Sequence, residues 1–308
     1  MSVSTVSPFV IARAAVLAVE RVSPTFARVT FGGAELDDFG TPGAVLDQRI
    51  KLIFPAPGRP LPTLAQGDWY QAWLAVPEDQ RGSMRTYSIR SLDVSPDDTT
   101  VVIDFVLHLE PGLTGPAATW ASTATVGDEL LVIGPRRGRE GGGGIEYSPG
   151  DAREILLAGD ETAAPAIARI LEDVDPSVRG SVFIEVPHAD DILPIAAPSG
   201  VAVRWLPRSG LGHGEALIPA VLTHLGDIVD TIEIEDAATE NPLWETPVHS
   251  GLGEELPTES NHADRYFWIA GESGVVTTLR RHLVKDLGID RAQVAFMGYW
   301  RKGVAMRG

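Results

Sequence analysis

Residues 84–90 read MRTYSIR, and the reading of this short run decides what kind of fold surrounds it. In a strand successive side chains leave on opposite faces, so Arg85 and Tyr87 share one side while Thr86 and Ser88 share the other. A planar cationic fork beside an aromatic plate, with small hydroxyls at backbone range, suits a ligand that carries both phosphates and a flat ring. An ordinary exposed strand has the same local pattern, so the decision falls to the neighbouring segments.

Working outward, AVLAVERV (15–22), FARVTFGG (26–33), DQRIKLIFP (47–55), TTVVIDFVLHLE (99–110) and GDELLVIGP (127–135) are short β-branched runs punctuated by Gly, Pro and Asp. Strands at this spacing predict a closed or nearly closed antiparallel barrel over residues 1–150. One helical piece, GPAATWAS (115–122), interrupts them. RRGREGGGG (136–144) reads as a flexible surface loop near a domain junction, because no Lys-Ser/Thr follows it and no strand feeds directly into a helix there. From residue 151 to 308 the pattern changes. REILLAGD (153–160), GSVFIEVP (180–187), VAVRWLP (201–207), YFWIAGE (266–272) and AQVAFMGYW (292–300) read as strands. Among them lie the helix-period segments ETAAPAIARILEDV (161–174), GEALIPAVLTHLG (214–226) and GVVTTLRRHLVKDLG (274–288). That alternation predicts a parallel, doubly wound sheet with ligands at the carboxyl ends of its strands. Residues 233–265 are acidic, rich in Pro and Gly and without periodicity, as expected of an inserted loop or lid. Trp244 within it is either an anchor or a solvent-side packing residue. No internal repeat is present.

Composition narrows the function. The formal net charge is −17, which excludes a nucleic-acid footprint but leaves room for a local basic pocket. The chain contains no cysteine, so it has no disulfide, thiolate nucleophile or Cys-ligated iron–sulfur cluster. If it moves electrons, an organic cofactor carries them. The opening run MSVSTVSPFVIARAAVLAVERV is broken by Arg13 and lacks a leading basic region, and no stretch is long enough to insert into a membrane. A cytoplasmic protein is expected.

MRTYSIR resembles the Arg-x-Tyr-Ser/Thr flavin motif of ferredoxin-reductase-like flavoproteins. FVLHLEPGLTGPAATWA (105–121), LLAGDETAAPAIARILE (156–172), FWIAGESGVVTTLRRHL (267–283) and GYWRKG (298–303), in that order, are together similar to the siderophore-interacting proteins, the FAD-dependent ferric-siderophore reductases. The resemblance implies an FAD-binding barrel, then an NAD(P)H-binding domain. On it, Arg85 pairs with the FAD pyrophosphate, Tyr87 lies along the isoalloxazine or ribityl region, and Ser88 bonds near flavin N5, with Thr86 between them. Gly115, Pro116 and Ala117 open a helix toward a phosphate, Thr119 adds a hydroxyl, and His108 and Trp120 belong to the same motif. The run from His108 to Gly115 is longer than in many relatives, which leaves His108 either a flavin contact or a structural histidine.

The resemblance further implies that Asp160, Glu161 and Thr162, with Gly271, Glu272 and Ser273, flank NADH or NADPH. Read from the residues alone, the first three are a capped helix start, whose carboxylates would repel a phosphate. Trp300 or Tyr299 would lie against FAD, although paired aromatics at a strand end also suit a core. Lys51, Arg301 and Arg137, the last chosen over Arg136, would make a basic pocket for an anionic ferric siderophore. Arg204 and Arg208 are candidates for a 2′-phosphate contact. The implied reaction passes hydride from NADH or NADPH to FAD, then single electrons to Fe(III), since iron cannot accept a hydride. A reductase coupled to a ferredoxin, and a ferric-siderophore-binding protein without activity, are the alternatives.

Overall fold

The computed structural model describes residues 7–41, 43–65, 67–95, 98–109, 114–227, 234, 243–247 and 264–303. Two compact units result, the first ending at Ile145 and the second beginning at Glu146. The sequence reading placed this break after residue 150. Residues 146–148 join the second unit because the Tyr266 hydroxyl donates to the Glu146 carbonyl (3.1 Å) and accepts from the Ser148 amide (3.2 Å), while Tyr147 packs edge-on against the Tyr266 ring.

The first unit contains β1 (Phe9–Arg21), β2 (Phe26–Gly32), β3 (Arg49–Phe54), α1 (Trp69–Ala75), β4 (Ser83–Ser88), β5 (Ser91–Val94), β6 (Thr99–Val106), α2 (Pro116–Thr123) and β7 (Glu129–Pro135). The strands form one antiparallel sheet in the order β4-β3-β7-β1-β2-β6-β5. Arg90, in the short link from β4 to β5, donates its amide to Val102 of β6 beside the β5–β6 ladder, and the sheet forms an antiparallel half-barrel. Alternation sends Ile50 and Leu52 into the barrel core with Phe31, Phe54 and Phe105. Trp120 of α2 stacks on Phe31 and lies 5.3 Å from Phe54 and 5.9 Å from Phe105. On the opposite face Ile53, Met84, Leu131 and Ile133 pack beneath Trp73 of α1, a helix that the sequence reading missed. Its seven residues are too few for a helical period to stand out.

The second unit contains β8 (Glu154–Gly159), α3 (Ala164–Asp173), β9 (Arg179–Val186), β10 (Gly200–Pro207), α4 (Leu217–His224), β11 (Trp244–Glu245), β12 (Arg265–Glu272), α5 (Ser273–Arg280) and β13 (Val294–Trp300). The sheet order is β10-β9-β8-β12-β13-β11, parallel except for the β11 edge. Leu156 and Ala158 of β8 meet α4 and α5 on one face, while Gly159 faces Ala163 and Ile167 of α3 on the other. The sheet is therefore doubly wound, and its strand order reverses between β8 and β12. Most of the expected 233–265 insertion lies outside the described residues. Its described part supplies β11, where Trp244 stacks on Tyr299 of β13 (6.1 Å, 18°) and Glu245 pairs with Arg280 at 2.7 Å.

Phe105 is fully buried and its ring meets Phe31, Phe54, Tyr87 and Trp120. Phe105→Ala is expected to destabilise the first unit by about 3–5 kcal/mol. Urea unfolding followed by tryptophan fluorescence measures it, and a loss below about 1 kcal/mol would remove Phe105 from the centre of the core.

Candidate functional site

The β3–β4 ladder pairs Leu52 with Arg85, Lys51 with Thr86, Ile50 with Tyr87 and Arg49 with Ser88. Leu52 and Ile50 point into the barrel, and Tyr87 packs there against Phe105, with ring centroids 4.6 Å apart. Arg85 and Tyr87 therefore leave on the inner face, while Lys51 and Thr86 leave on the outer one, where Lys51 Nζ donates to Thr86 Oγ1 at 2.7 Å. The set that the sequence suggests as one cluster is divided by the ladder, with Lys51 on the other face from Arg85. Ser88 is buried opposite Arg49.

Arg85 is half-buried, and its Nη1 donates to the Met84 carbonyl at 2.7 Å. Burial lowers its pKa, with Tyr87 partly opposing, and among the described residues no carboxylate pairs with it. The Tyr87 hydroxyl is pushed up by burial, with Arg85 pulling the other way. A partly desolvated guanidinium with no counter-ion is suited to receive an anion. Helix α2 begins at extended Gly115 with Pro116 in its first turn, and no side chain caps its first amides. These features fit a pyrophosphate beside a flat ring. Thr119 is committed locally, because its hydroxyl donates to the Gly115 carbonyl at 3.0 Å. Trp120 serves the barrel core, as described above. His108 is half-buried just beyond β6, and residues 110–113, which hold the longer run before Gly115, lie outside the described residues.

The other basic candidates have local partners. Arg137 Nη2 donates to Thr99 Oγ1 at 2.7 Å, and its Nε and Nη2 reach the Phe39 carbonyl at 3.4 Å. Arg136 pairs with Asp38 and donates to the Ser7 carbonyl. Arg301 is half-buried just after β13. The glycine run 141–144 is docked on β3: Arg49 N donates to the Gly144 carbonyl at 2.8 Å, and Gln48 Nε2 to the Gly143 carbonyl at 2.9 Å. Gly144 has φ +91°, and a Cβ there would lie 2.7 Å from the Arg49 carbonyl oxygen, so the docking requires glycine.

In the second unit the site is built around one carboxylate. Asp160, buried at the end of β8, accepts from the Thr162 amide (2.8 Å) and hydroxyl (2.5 Å) through Oδ1. Its Oδ2 accepts from the Glu272 amide (2.7 Å) and Trp300 Nε1 (2.8 Å). Gly271, at φ +140°, lies so close that a Cβ would sit 2.7 Å from the Asp160 carboxyl carbon. Asp160 thus ties the ends of β8, β12 and β13 together at the point where the strand order reverses. Burial, with the Glu161 charge second, raises its pKa to about 6, although the hydrogen bonds from Thr162 and Trp300 oppose the rise.

The starts of α5 and α4 are filled by carboxylates. Glu272 accepts from the Gly274 (2.7 Å) and Val275 (3.1 Å) amides of α5 and from Lys302 N (3.2 Å). Glu185 accepts from Gly214, Ala216 and Leu217 at the start of α4. Arg208 is buried in a two-pronged pair with Glu161 (2.8 and 3.0 Å) and a 3.3 Å contact to Glu185. Glu161 and Arg208 are therefore committed to each other, which corrects the expectation that one flanks a nucleotide and the other a 2′-phosphate. Arg204 is exposed on edge strand β10, its guanidinium over the Phe183 ring. Ser273 donates to the Trp300 carbonyl at 2.8 Å, and Trp300 meets His213 edge-on at 4.9 Å. At the starts of α4 and α5 the residues present do not fit a dinucleotide phosphate resting on helix amides, because Glu185 and Glu272 already occupy those donors, while no side chain caps α3. Glu185 was missed in the sequence, where its signal was a lone acid inside the apolar run VFIEV.

Residues 15–139 match the siderophore-interacting FAD-binding domain, and residues 152–303 match the siderophore-interacting protein family. The chain belongs to the siderophore-interacting proteins. Among its relatives is the ferric vibriobactin reductase of Vibrio cholerae, 27% identical over 284 residues that cover 92% of this chain and 86% of that one. The NADPH-dependent ferric-chelate reductase of Escherichia coli is 28% identical over 292 residues, covering 92% and 91%. The crystal structure of a siderophore utilization protein from T. fusca matches with a TM-score of 0.69 at 28% identity, over 97% of this chain and 96% of that one. FAD is the cofactor of the matched first domain.

Because the folded pKa of Asp160, about 6, lies above its unfolded value of 3.8, the folded protein holds this proton where the unfolded chain has lost it. The contribution is complete below about pH 4 and is lost as pH rises through about 6. The difference in Tm between wild type and Asp160→Asn, followed from pH 4 to 8, is expected to change across that window. A constant difference would place the Asp160 titration elsewhere.

Proposed function

We propose that this protein is a flavin-dependent reductase of ferric siderophores. The observation that carries the reading is Arg85, a half-buried guanidinium with no carboxylate partner among the described residues, two positions from Tyr87 in the segment that matches an FAD-binding domain. Arg85 would hold the FAD pyrophosphate by charge-assisted hydrogen bonds, and the uncapped amides of α2 would add to them. Tyr87 would lie along the ring system, with Ser88 near its N5. When bound, FAD supplies the change from two-electron to one-electron chemistry that ferric iron requires. Lys51, with Arg137 and Arg301 as further cations, would hold the anionic ferric chelate while one electron converts Fe(III) to Fe(II). Hard oxygen donors bind the ferrous ion less well, so reduction releases it, and no side-chain acid or base has to act.

Similarity to the E. coli reductase, whose name specifies NADPH, supports a reduced nicotinamide nucleotide as donor. Such a nucleotide would sit away from the α4 and α5 starts that Glu185 and Glu272 occupy. Those filled amides favour a second reading of the donor alone, an external protein electron carrier of the ferredoxin kind.

Anaerobic visible spectroscopy tests both. The purified protein is expected to show a flavin spectrum that bleaches on adding NADH or NADPH and recovers on adding a ferric siderophore, as a ferrous trap develops colour. Bleaching by reduced ferredoxin alone would select the carrier reading, and a protein that takes up no flavin would overturn the reductase reading. Arg85→Gln is expected to weaken FAD binding about 10- to 100-fold, the loss of a hydrogen bond to a charged group. Lys51→Ala is expected to slow ferric-siderophore reduction at limiting substrate with the flavin spectrum retained, and unchanged turnover there would take Lys51 out of the site.

A further inference from the structure

Trp300 closes β13 at the edge where the strand order of the second sheet reverses, the place at which open α/β sheets take their ligands. Residues distant in the chain hold it there. Its Nε1 donates to Asp160 Oδ2 at 2.8 Å, its carbonyl accepts from the Ser273 hydroxyl at 2.8 Å, and the His213 ring stands edge-on to it at 4.9 Å and 79°. Unlike Trp268 of β12, which is fully buried, Trp300 keeps part of its exposure. Its neighbour Tyr299 is committed to the stack on Trp244. An aromatic ring fixed at a ligand-binding edge before any ligand arrives loses little freedom when a second flat ring is laid on it.

The charge at this edge selects the kind of ring. Arg208 answers Glu161 and Glu185, while Asp160 and Glu272 are held by N–H and hydroxyl donors, with no cation paired to either among the described residues. An edge of this sign repels phosphate and attracts a cation. The face of an indole attracts cations as well, more strongly than the other aromatic side chains. Because the Trp300 N–H donates to the Asp160 carboxylate, the ring is polarised toward greater electron density. Asp160 is ionised at neutral pH, since its pKa rises only to about 6. A nicotinamide ring is neutral when reduced and positively charged when oxidised.

We infer that Trp300 is the plate on which the nicotinamide ring of the electron donor rests, that Asp160 positions and polarises this plate, and that the pair binds the oxidised, cationic ring in preference to the reduced, neutral one. The inference rests on the nicotinamide donor of the reductase reading, and it gives Trp300 to that ring rather than to the flavin that the resemblance implies. Recognition through a ring suits a nucleotide site whose α4 and α5 starts are taken by carboxylates. Tighter binding of the cationic ring shifts the bound nucleotide toward its oxidised form, the direction in which a donor works.

Isothermal titration of the full chain with its flavin bound tests this with ligands that undergo no reaction. They are NADP+, its tetrahydro analogue, whose ring is neutral and releases no hydride, and 2′-phospho-ADP-ribose, which lacks the ring. Trp300→Leu is expected to weaken NADP+ binding roughly 3- to 30-fold, to weaken the neutral analogue less and to leave 2′-phospho-ADP-ribose unchanged. Trp300→Phe, which keeps a flat ring of weaker quadrupole, is expected to fall between wild type and Trp300→Leu. Asp160→Asn is expected to narrow the preference for NADP+ over the neutral analogue. These ratios compare ligands with the same phosphates on one variant, so a general loosening of the strand ends does not move them. Equal losses for NADP+ and the neutral analogue, a matching loss for 2′-phospho-ADP-ribose, or an unchanged preference in Asp160→Asn would overturn the inference and leave the reductase reading standing. A wild type that binds none of the three, with its flavin bleached by reduced ferredoxin, would overturn the inference together with the nicotinamide donor and keep the carrier form of the reductase. A Trp300-dependent preference for NADP+ in a chain that takes up no flavin would uphold the inference and overturn the reductase reading.

Discussion

A residue in a β-ladder can present its side chain to one face only, and the register of β3 against β4 turns this constraint into a division of labour. Arg85 and Tyr87 leave with Ile50 and Leu52 on the core side, where Tyr87 meets Phe105 and the guanidinium is half-buried with no carboxylate partner among the described residues. Arg49 and Lys51 leave on the other side with Thr86. A slip of one residue would exchange the two sets, sending Arg49 and Lys51 into the barrel and Arg85 out of it. The register is held by the apolar residues of β3, since Ile50 and Leu52 are buried in the barrel core and Ile53 is buried on the opposite face.

The second unit solves a different problem with the opposite charge. Parallel strands leave loops and helix starts clustered at one edge, where backbone amides need acceptors. Glu185 and Glu272 provide them for α4 and α5, and Asp160, which accepts from Thr162 ahead of α3, also reaches across from β8 to Trp300 at the end of β13. The carboxylates are kept in place by neighbours that tolerate them: Glu161 and Glu185 share Arg208, and Gly271 leaves room for Asp160. The same donors that bind phosphate in many α/β folds here carry out an internal task. Among the described residues the first unit thus leaves a cation without a carboxylate, while the second fills the starts of α4 and α5 with carboxylates.

Much of this was legible in the residue order. The alternation of MRTYSIR separated Arg85 and Tyr87 from Thr86 and Ser88, and the barrel strands and the doubly wound sheet followed from their periodicities. The acidic turn at Asp160–Thr162 read as a capped helix start, and Asp160 does accept from Thr162. Helix α1 was illegible because its seven residues are held by Trp73 against an outer face that only the folded sheet creates. Strand β11 was illegible because two residues carry no period and pair with a strand more than fifty residues later.

Partners distant in the chain mark the same boundary for the site. Local pattern determined the elements, the faces of each strand and the residue types available to hold a phosphate, a flat ring or an anionic chelate, because alternation and capping are properties of neighbours. Only the tertiary structure decided that Lys51 meets Thr86, that Arg208 is consumed by Glu161 and that Asp160 receives Trp300. Each of these depends on which strands lie side by side and in what register, and that is set by the burial of the whole apolar core rather than by any stretch of sequence.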